Sequence, residues 1–406
     1  MLSEMESVSK DYVLMIVCGT ITMFSGGIIF PIFAPFVRDQ FSAPLLIVGL
    51  AASGYYMFRM FTEFPVGTLS DKFGPKMPMV VGRIFAIIGA ITCYLTNDIW
   101  VLILARGIWG IGDASFFCIG MSYVASLYPP EKRGRALGFF QAVESIGSFF
   151  GQSLGGLMAS YLGLRINFLV SMILGIPTLL IVLKIKGAGI MEKSKGKTSL
   201  HISREEFHQV LNRIVIAACL ITLLSMIINN GVTSTILPIY VTEVLGLSLA
   251  EYGFMVASST VGSVIGNLIG GYLSDWIGRR KTLATGLIIG ALSLGIFPFP
   301  VSSIQFMPIM FAKGLFWGIL YGTTPAFVAD AVPEKARGMG IGAYRTFLDL
   351  GGLIGPVIMS GIVELSDGTQ GYSIAFLTGM TMLIISLILV IMLKEKKSED
   401  KKIEVA

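Results

Sequence analysis

Long apolar runs separated by short polar segments make up most of the chain, at about residues 12 to 37, 45 to 68, 78 to 96, 99 to 128, 137 to 161, 166 to 184, 214 to 240, 251 to 274, 282 to 301, 304 to 331, 340 to 363 and 371 to 393. A helix needs roughly 20 mainly apolar residues to cross a hydrocarbon core about 30 Å thick. The runs are too long for barrel strands and lack their two-residue alternation, so the backbone has to satisfy itself within helices. The pattern predicts an all-α membrane protein with twelve transmembrane helices. The longest polar interruption divides it into a six-helix bundle over 1–184, a linker over 185–213, and a second six-helix bundle with a basic tail over 214–406. In the linker, Ser203-Arg204-Glu205-Glu206 reads as a capping box, and Phe207, Val210, Leu211 and Ile214 follow at helical spacing, which predicts a short interfacial helix.

Composition narrows the chemistry. Of the 406 residues 54% are hydrophobic and only 14% charged, against about 25% charged in soluble domains. Twelve spans leave no room for a large catalytic domain outside the membrane. Both His residues fall in the linker, and Cys18, Cys93, Cys118 and Cys219 sit singly in different apolar segments, so neither a metal site nor a disulfide framework is expected, and no cofactor. Gly196-Lys197-Thr198 fails as a phosphate-binding loop because Met191 stands where its first Gly belongs. No nucleophile motif lies in the spans, so the chain is not expected to be an enzyme. The net charge of +5 is distributed by side. Arg38 and Arg165 fall on the far side and Arg59, Arg106, Lys313 and Arg345 within the membrane, and the other 24 of the 30 basic residues fall on the side of the two termini, with Arg83 counted in the turn after span 2. That asymmetry places both termini in the cytoplasm and explains the charge by an anionic membrane face rather than by nucleic acid.

The two halves repeat each other. Gly67-Thr68-Leu69-Ser70-Asp71-Lys72-Phe73-Gly74-Pro75-Lys76 returns as Gly271-Tyr272-Leu273-Ser274-Asp275-Trp276-Ile277-Gly278-Arg279-Arg280, and Pro130-Glu131-Lys132-Arg133-Gly134 is echoed by Pro333-Glu334-Lys335-Ala336-Arg337-Gly338. Corresponding spans carry corresponding motifs, as in two parallel repeats about an axis along the membrane normal. With both copies of its Gly-x-Leu-x-Asp-x-x-Gly-x-basic turn, the chain resembles the major facilitator superfamily over essentially its full length. The resemblance implies that superfamily's fold and transport by alternating access. It also makes Gly67, Asp71, Gly74, Lys76, Gly271, Asp275, Gly278, Arg279 and Arg280 a gating motif that latches the cytoplasmic side. The residue chemistry fits: Gly67 and Gly271 permit close helix approach, Gly74 and Gly278 suit tight turns, and Asp71 or Asp275 can meet a helix N-terminus or a cation. Arg106-Gly107-Ile108-Trp109-Gly110-Ile111-Gly112 resembles the family's proton-coupling element, with Trp109 in place of Gln. Gly147-x-x-x-Gly151-Gln152-x-x-Gly155-Gly156 resembles the helix 5 motif of drug/proton antiporters, with Gln152 where Pro belongs.

Ionisable groups inside a membrane are costly and mark functional candidates. Arg59 with Glu63 and Arg345 with Asp349 are spaced i, i+4, within reach of two separate ion pairs, either structural or part of the gate. Arg106 and Asp113 share a helix face about 10 Å apart, which suits a substrate site or a proton relay, and Asp113 has no partner in its own helix. Glu144 is either a buried proton carrier or the partner of Arg59 or Arg345. Lys313 aligns with Arg106 across the repeat, suggesting two cations on a shared cavity, and Asn229 and Asn230 add hydrogen-bonding capacity. The expectation is a monomeric, proton-coupled transporter of a small organic molecule in the inner membrane, working in efflux. An organic-anion exchanger or an uptake symporter is the alternative.

Overall fold

The structure is a computed structural model, and it describes residues 10–186, 212–299, 302–333, 337–366 and 368–393. The expected linker helix, the side chain of Asp71 and the basic tail lie outside the described residues.

The described residues form an all-α protein. The first apolar run is two helices, α1 (Lys10–Ile29) and α2 (Phe33–Phe41), because Pro31 has no N–H to continue the ladder. Helices α3 (Leu45–Phe73), α4 (Lys76–Leu95), α5 (Ile99–Ser126), α6 (Pro130–Leu162) and α7 (Ile166–Lys184) are spans 2 to 6. Span 7 also departs from a single regular helix. It starts as α8 (Arg213–Met226), widens to a π-helix over Ile227–Ile236, and after one turn at Leu237–Ile239 widens again over Tyr240–Val244. Pro238 lacks the donor that the π register would aim at the carbonyl of Thr233, five residues back. The Tyr252 hydroxyl donates to that carbonyl instead, at 2.6 Å. Helices α9 (Leu249–Trp276), α10 (Arg279–Ile296), α11 (Ser303–Ala331), α12 (Arg337–Glu364) and α13 (Gln370–Met392) are spans 8 to 12. Ten of the spans are long and apolar enough to cross a membrane by length and composition. The helix α6 is diluted by its polar first turns and by Glu144 and Gln152, and α10 is short and starts Arg279-Arg280-Lys281.

Each half packs within itself, α1 on α6 and α4 on α5 in the first, α9 on α11 and α10 on α13 in the second. The halves meet along two seams, α3 with α12 and α6 with α9. In repeat terms these are spans 2 with 11 and 8 with 5, so the pseudo-twofold carries one seam onto the other.

The seams are closed at one end only. At the end away from Lys10, Arg38 pairs with Glu243 at 3.1 Å, the Leu46 N–H donates to Glu364 at 3.0 Å, and the Ala250 N–H donates to Ser160 at 3.1 Å. Deeper in, Ser53 donates to the Leu353 carbonyl at 2.5 Å and Thr260 donates to Gln152 at 2.6 Å. Glycine makes this approach feasible: a Cβ on Gly49 would fall on the Pro356 carbonyl, and one on Gly156 on the Leu249 carbonyl. Toward the basic end, where α3 meets α4 and α9 meets α10, a Cβ on Gly67 or Gly271 would have nothing within 4 Å among the described residues. The close helix approach expected at these two glycines is not made by any described residue, in contrast to Gly49 and Gly156 at the other end.

The difference is testable by thermal unfolding in detergent. Gly156→Val overpacks the closed seam and should cost about 1–3 kcal/mol, whereas Gly67→Ala should leave the midpoint unchanged or slightly raised, since it adds a methyl to open space and removes a glycine from a helix. Equal losses in the two variants would contradict a seam closed at one end.

Candidate functional site

Helix α5 organises the site. Asp98 caps it, accepting from the N–H groups of Trp100 at 2.7 Å and Val101 at 3.1 Å, and so fixes the register that puts Arg106, Trp109 and Asp113 on one face. That face borders a cavity of about 170 Å³ between the halves, room for a compact ligand rather than one water, whose share of liquid volume is about 30 Å³. The first half supplies Phe30, Phe33, Tyr55 and Tyr56 as aromatic walls, and the second supplies Asn230, Ser234, Thr235 and Pro356. Three of these four belong to the π-helical stretch of span 7.

Asp113 is not unpartnered. Arg83 reaches it from α4 at 3.0 Å, and Tyr55 donates to its other oxygen at 3.0 Å. Arg83 also donates to the Gly112 carbonyl at 3.0 Å and to Thr22 at 3.1 Å, and lies over the Phe116 ring. With 3% of its surface exposed, Arg83 belongs to the core of the first half and not to the turn after span 2. The available signal was its position, since α4 begins at Lys76 and two turns of helix carry residue 83 into the apolar run. Gly82 and Gly112 let the two helices come close enough to pair: a Cβ on Gly82 would meet Ser115 and the Gly112 carbonyl. A second cavity of about 20 Å³ beside this pair, lined by Thr22, Ser25, Ser171 and Thr178, is the size of one water.

Arg106 has different surroundings. Its guanidinium lies over the rings of Phe33 at 4.3 Å, Tyr55 at 5.0 Å and Trp109 at 5.4 Å, and its buried Nε has no hydrogen-bond acceptor. Among the described residues no carboxylate comes within 4.0 Å of it.

Of the two expected i, i+4 pairs Arg59–Glu63 forms, as part of a quartet, and Arg345–Asp349 does not. Arg59 approaches Glu63 at 3.4 Å, but also Asp349 of the other half at 3.5 Å, while Arg345 reaches across to Glu63 at 3.6 Å. Among the described residues Arg345 and Asp349 do not pair with each other. Their side chains face the α3 seam, and the opposite charges available there win over the neighbour on their own helix. Among the described residues this quartet is the ion-pair link between the halves nearest the basic end.

Glu144 pairs with neither Arg59 nor Arg345. It lies against Gly19 of α1, 5% exposed, and its Oε1 has no hydrogen-bond partner. Lys313 is absent from the wall that Arg106 lines. It is buried in α11 and donates to Asn229 at 2.7 Å. Asn230 accepts from the Tyr56 hydroxyl at 2.7 Å, joining the halves beside the cavity.

The two copies of the gating motif differ. Gly74 and Gly278 both turn with positive φ, 81° and 94°, as expected for tight turns. In the second copy Arg279 holds Asp275 at 2.5 Å, Asp330 of α11 at 3.2 Å, and Ser274. Arg280 donates to the carbonyls of Val390 and Ile391 at the end of α13. Asp275 therefore meets a cation of its own half rather than a helix N-terminus. Pro75 stands where Arg279 does, so the first copy has no such clasp, and Lys76 opens α4 without an ion pair among the described residues.

The sequence pattern of the Major Facilitator Superfamily matches residues 15–248 and 218–405. "Multidrug resistance protein 3" of Bacillus subtilis is 24% identical over 379 residues, which cover 79% of this chain and 73% of that one. The "Probable galactarate/D-glucarate transporter GudP" of the same organism is 24% identical over 416 residues, covering 91% and 90%. The crystal structure of the nucleoside transporter NupG superposes with a TM-score of 0.78 over 94% of this chain and 98% of that one, at 11% identity, and so shares the fold.

Removing one partner of a buried ion pair strands the other, at a cost of about 3–5 kcal/mol. Asp113→Asn and Arg83→Gln should each lower the unfolding midpoint sharply. Combining them should restore most of the loss, giving a coupling well above the 0.5 kcal/mol or so expected of independent sites. Additive losses in the double-mutant cycle would rule out the pairing.

Proposed function

Because the chain belongs to the Major Facilitator Superfamily, we propose that it is a secondary transporter that carries a small organic molecule through the central cavity by alternating access, coupled to protons and in the direction of export. The observation that carries the reading is the cavity itself, walled by both halves and set between seams that are closed at one end and open at the other. With the basic end in the cytoplasm, as the distribution of Lys and Arg favours, this state faces inward. Opening the other side requires release of the Arg38–Glu243 pair and the contacts of Leu46 and Ala250. The quartet at the α3–α12 seam is the fulcrum. The Gly67–Lys76 and Gly271–Arg280 turns close the basic end in the opposite state.

Glu144 is the group we assign to proton binding. A carboxyl with no counter-ion among the described residues gains or loses a proton without breaking an ion pair there, whereas Asp113 is engaged by Arg83 and Tyr55. The glycine pattern around Gly147 and Gly151 and the multidrug relative support export. The sugar-acid relative supports proton-driven uptake as the second reading.

Proteoliposomes loaded against a panel of drugs, sugars and carboxylates, with a pH gradient imposed in either direction, test this. The wild type should accumulate at least one substrate in response to the gradient. Glu144→Gln should keep exchange of labelled for unlabelled substrate and lose the response to the gradient. Full gradient-driven accumulation by this variant would remove Glu144 from the coupling, and no gradient response in the wild type would remove proton coupling altogether.

A further inference from the structure

The geometry points to a small organic carboxylate as the ligand of the central cavity, held by the Arg106 guanidinium. The inference deepens the transporter reading and rests on it.

It follows from where the charges inside the spans are matched. Arg59, Arg83 and Arg345 each lie within 4.0 Å of a carboxylate, and Lys313 is bonded to Asn229 away from the cavity wall. Among the described residues Arg106 is the span arginine that lines the cavity and has no carboxylate at that distance. Asp113 shares its wall but does not balance it, because Arg83 at 3.0 Å already does. Arg83, Asp113 and Arg106 together leave one positive charge facing a cavity with few other charges. A charge within the membrane is costly unless paired, and an anionic ligand supplies the missing partner.

The local chemistry selects the kind of anion. The rings of Phe33, Tyr55 and Trp109 attract the guanidinium through their π faces but accept none of its in-plane N–H bonds. Those donors form a planar fork that matches a carboxylate in two-point contact. The remaining polar lining, Tyr56, Asn230, Ser234 and Thr235, is neutral and suits hydroxyl or carbonyl groups on the body of the ligand. The aromatic walls suit an apolar or ring-shaped body. A cationic molecule of the same shape meets a like charge instead, a repulsion that acts as selection against it.

The full chain, purified in detergent at fixed ionic strength, is titrated with benzoate, benzamide and benzylamine, and with acetate, acetamide and methylamine as smaller probes. The unfolding midpoint and, in a background with Trp100, Trp276 and Trp317 replaced by Phe, the emission of Trp109 are the readouts. Benzoate and acetate should raise the midpoint and change the emission, with the amides and amines ineffective. Arg106→Gln should weaken benzoate by about ten- to hundredfold, the range for losing hydrogen bonds to a charged group. Arg106→Lys should retain a weaker preference for carboxylate over amide, because the charge remains without the fork. If Arg106→Gln fails to fold, the Lys variant and the wild-type ranking decide. Equal effects of the three chemical classes, a preference for the amines, or the absence of any carboxylate-dependent shift would overturn the proposal. The two readings fail separately. A carboxylate that binds through Arg106 but is not moved in proteoliposomes would overturn the transport reading and leave this one, and gradient-driven movement of amines alone would do the reverse.

Discussion

An ionised side chain in hydrocarbon has no water to turn to, and for the span arginines of this protein the decisive question is which opposite charge the fold brings within reach. Three arrangements follow from that constraint. Arg83 and Asp113 bind α4 to α5 and make the first half a rigid unit. Arg59, Glu63, Arg345 and Asp349 share partners across the α3–α12 seam, so two of their three ion pairs join one half to the other. Arg106 is left facing the cavity with aromatic rings but no anion. A pair within one half, links between the halves and a cation left to the cavity are three outcomes of one electrostatic requirement.

Much of the fold was legible in the chain. Twelve apolar runs and a repeated Gly-x-Leu-x-Asp turn were enough to predict two bundles of six, because span length and internal duplication are local properties of sequence. The interruptions of spans 1 and 7 were less visible: Pro31 and Pro238 are written plainly, but whether a membrane helix breaks, kinks or widens at proline depends on who supplies the missing hydrogen bond. For Thr233 the donor is Tyr252, from the next helix. The site was readable as a set of residues and not as a set of pairs. Arg106, Asp113 and Asn230 do line the cavity, yet the partner of Asp113 sits thirty residues earlier on another helix, and spacing within one helix carries no information about it. The i, i+4 rule failed for Arg345 and Asp349 for the same reason, since the seam offered each a better-placed charge.

The duplication is informative where it is imperfect. The second gating turn is secured within its own half by Arg279 and Arg280, whereas Pro75 in the first copy removes the equivalent cation. The second turn is thus tied to its own half by a cation, Arg279, that the first copy lacks. A similar asymmetry separates Arg106 from Lys313, equivalent in the repeat but with the first on the cavity and the second satisfied by Asn229.

The central claim is that the halves rock about the quartet, closing the basic end as the other opens. Spin labels at Leu69 and Ile341 near the basic end, and at Trp100 and Leu365 near the other, in a background lacking the four native Cys, measure both gaps by electron-spin distance. The account predicts that, on adding a transported substrate, the distribution between residues 69 and 341 shifts shorter while that between 100 and 365 shifts longer. Distances that stay fixed, or that change in the same direction at both ends, would contradict it.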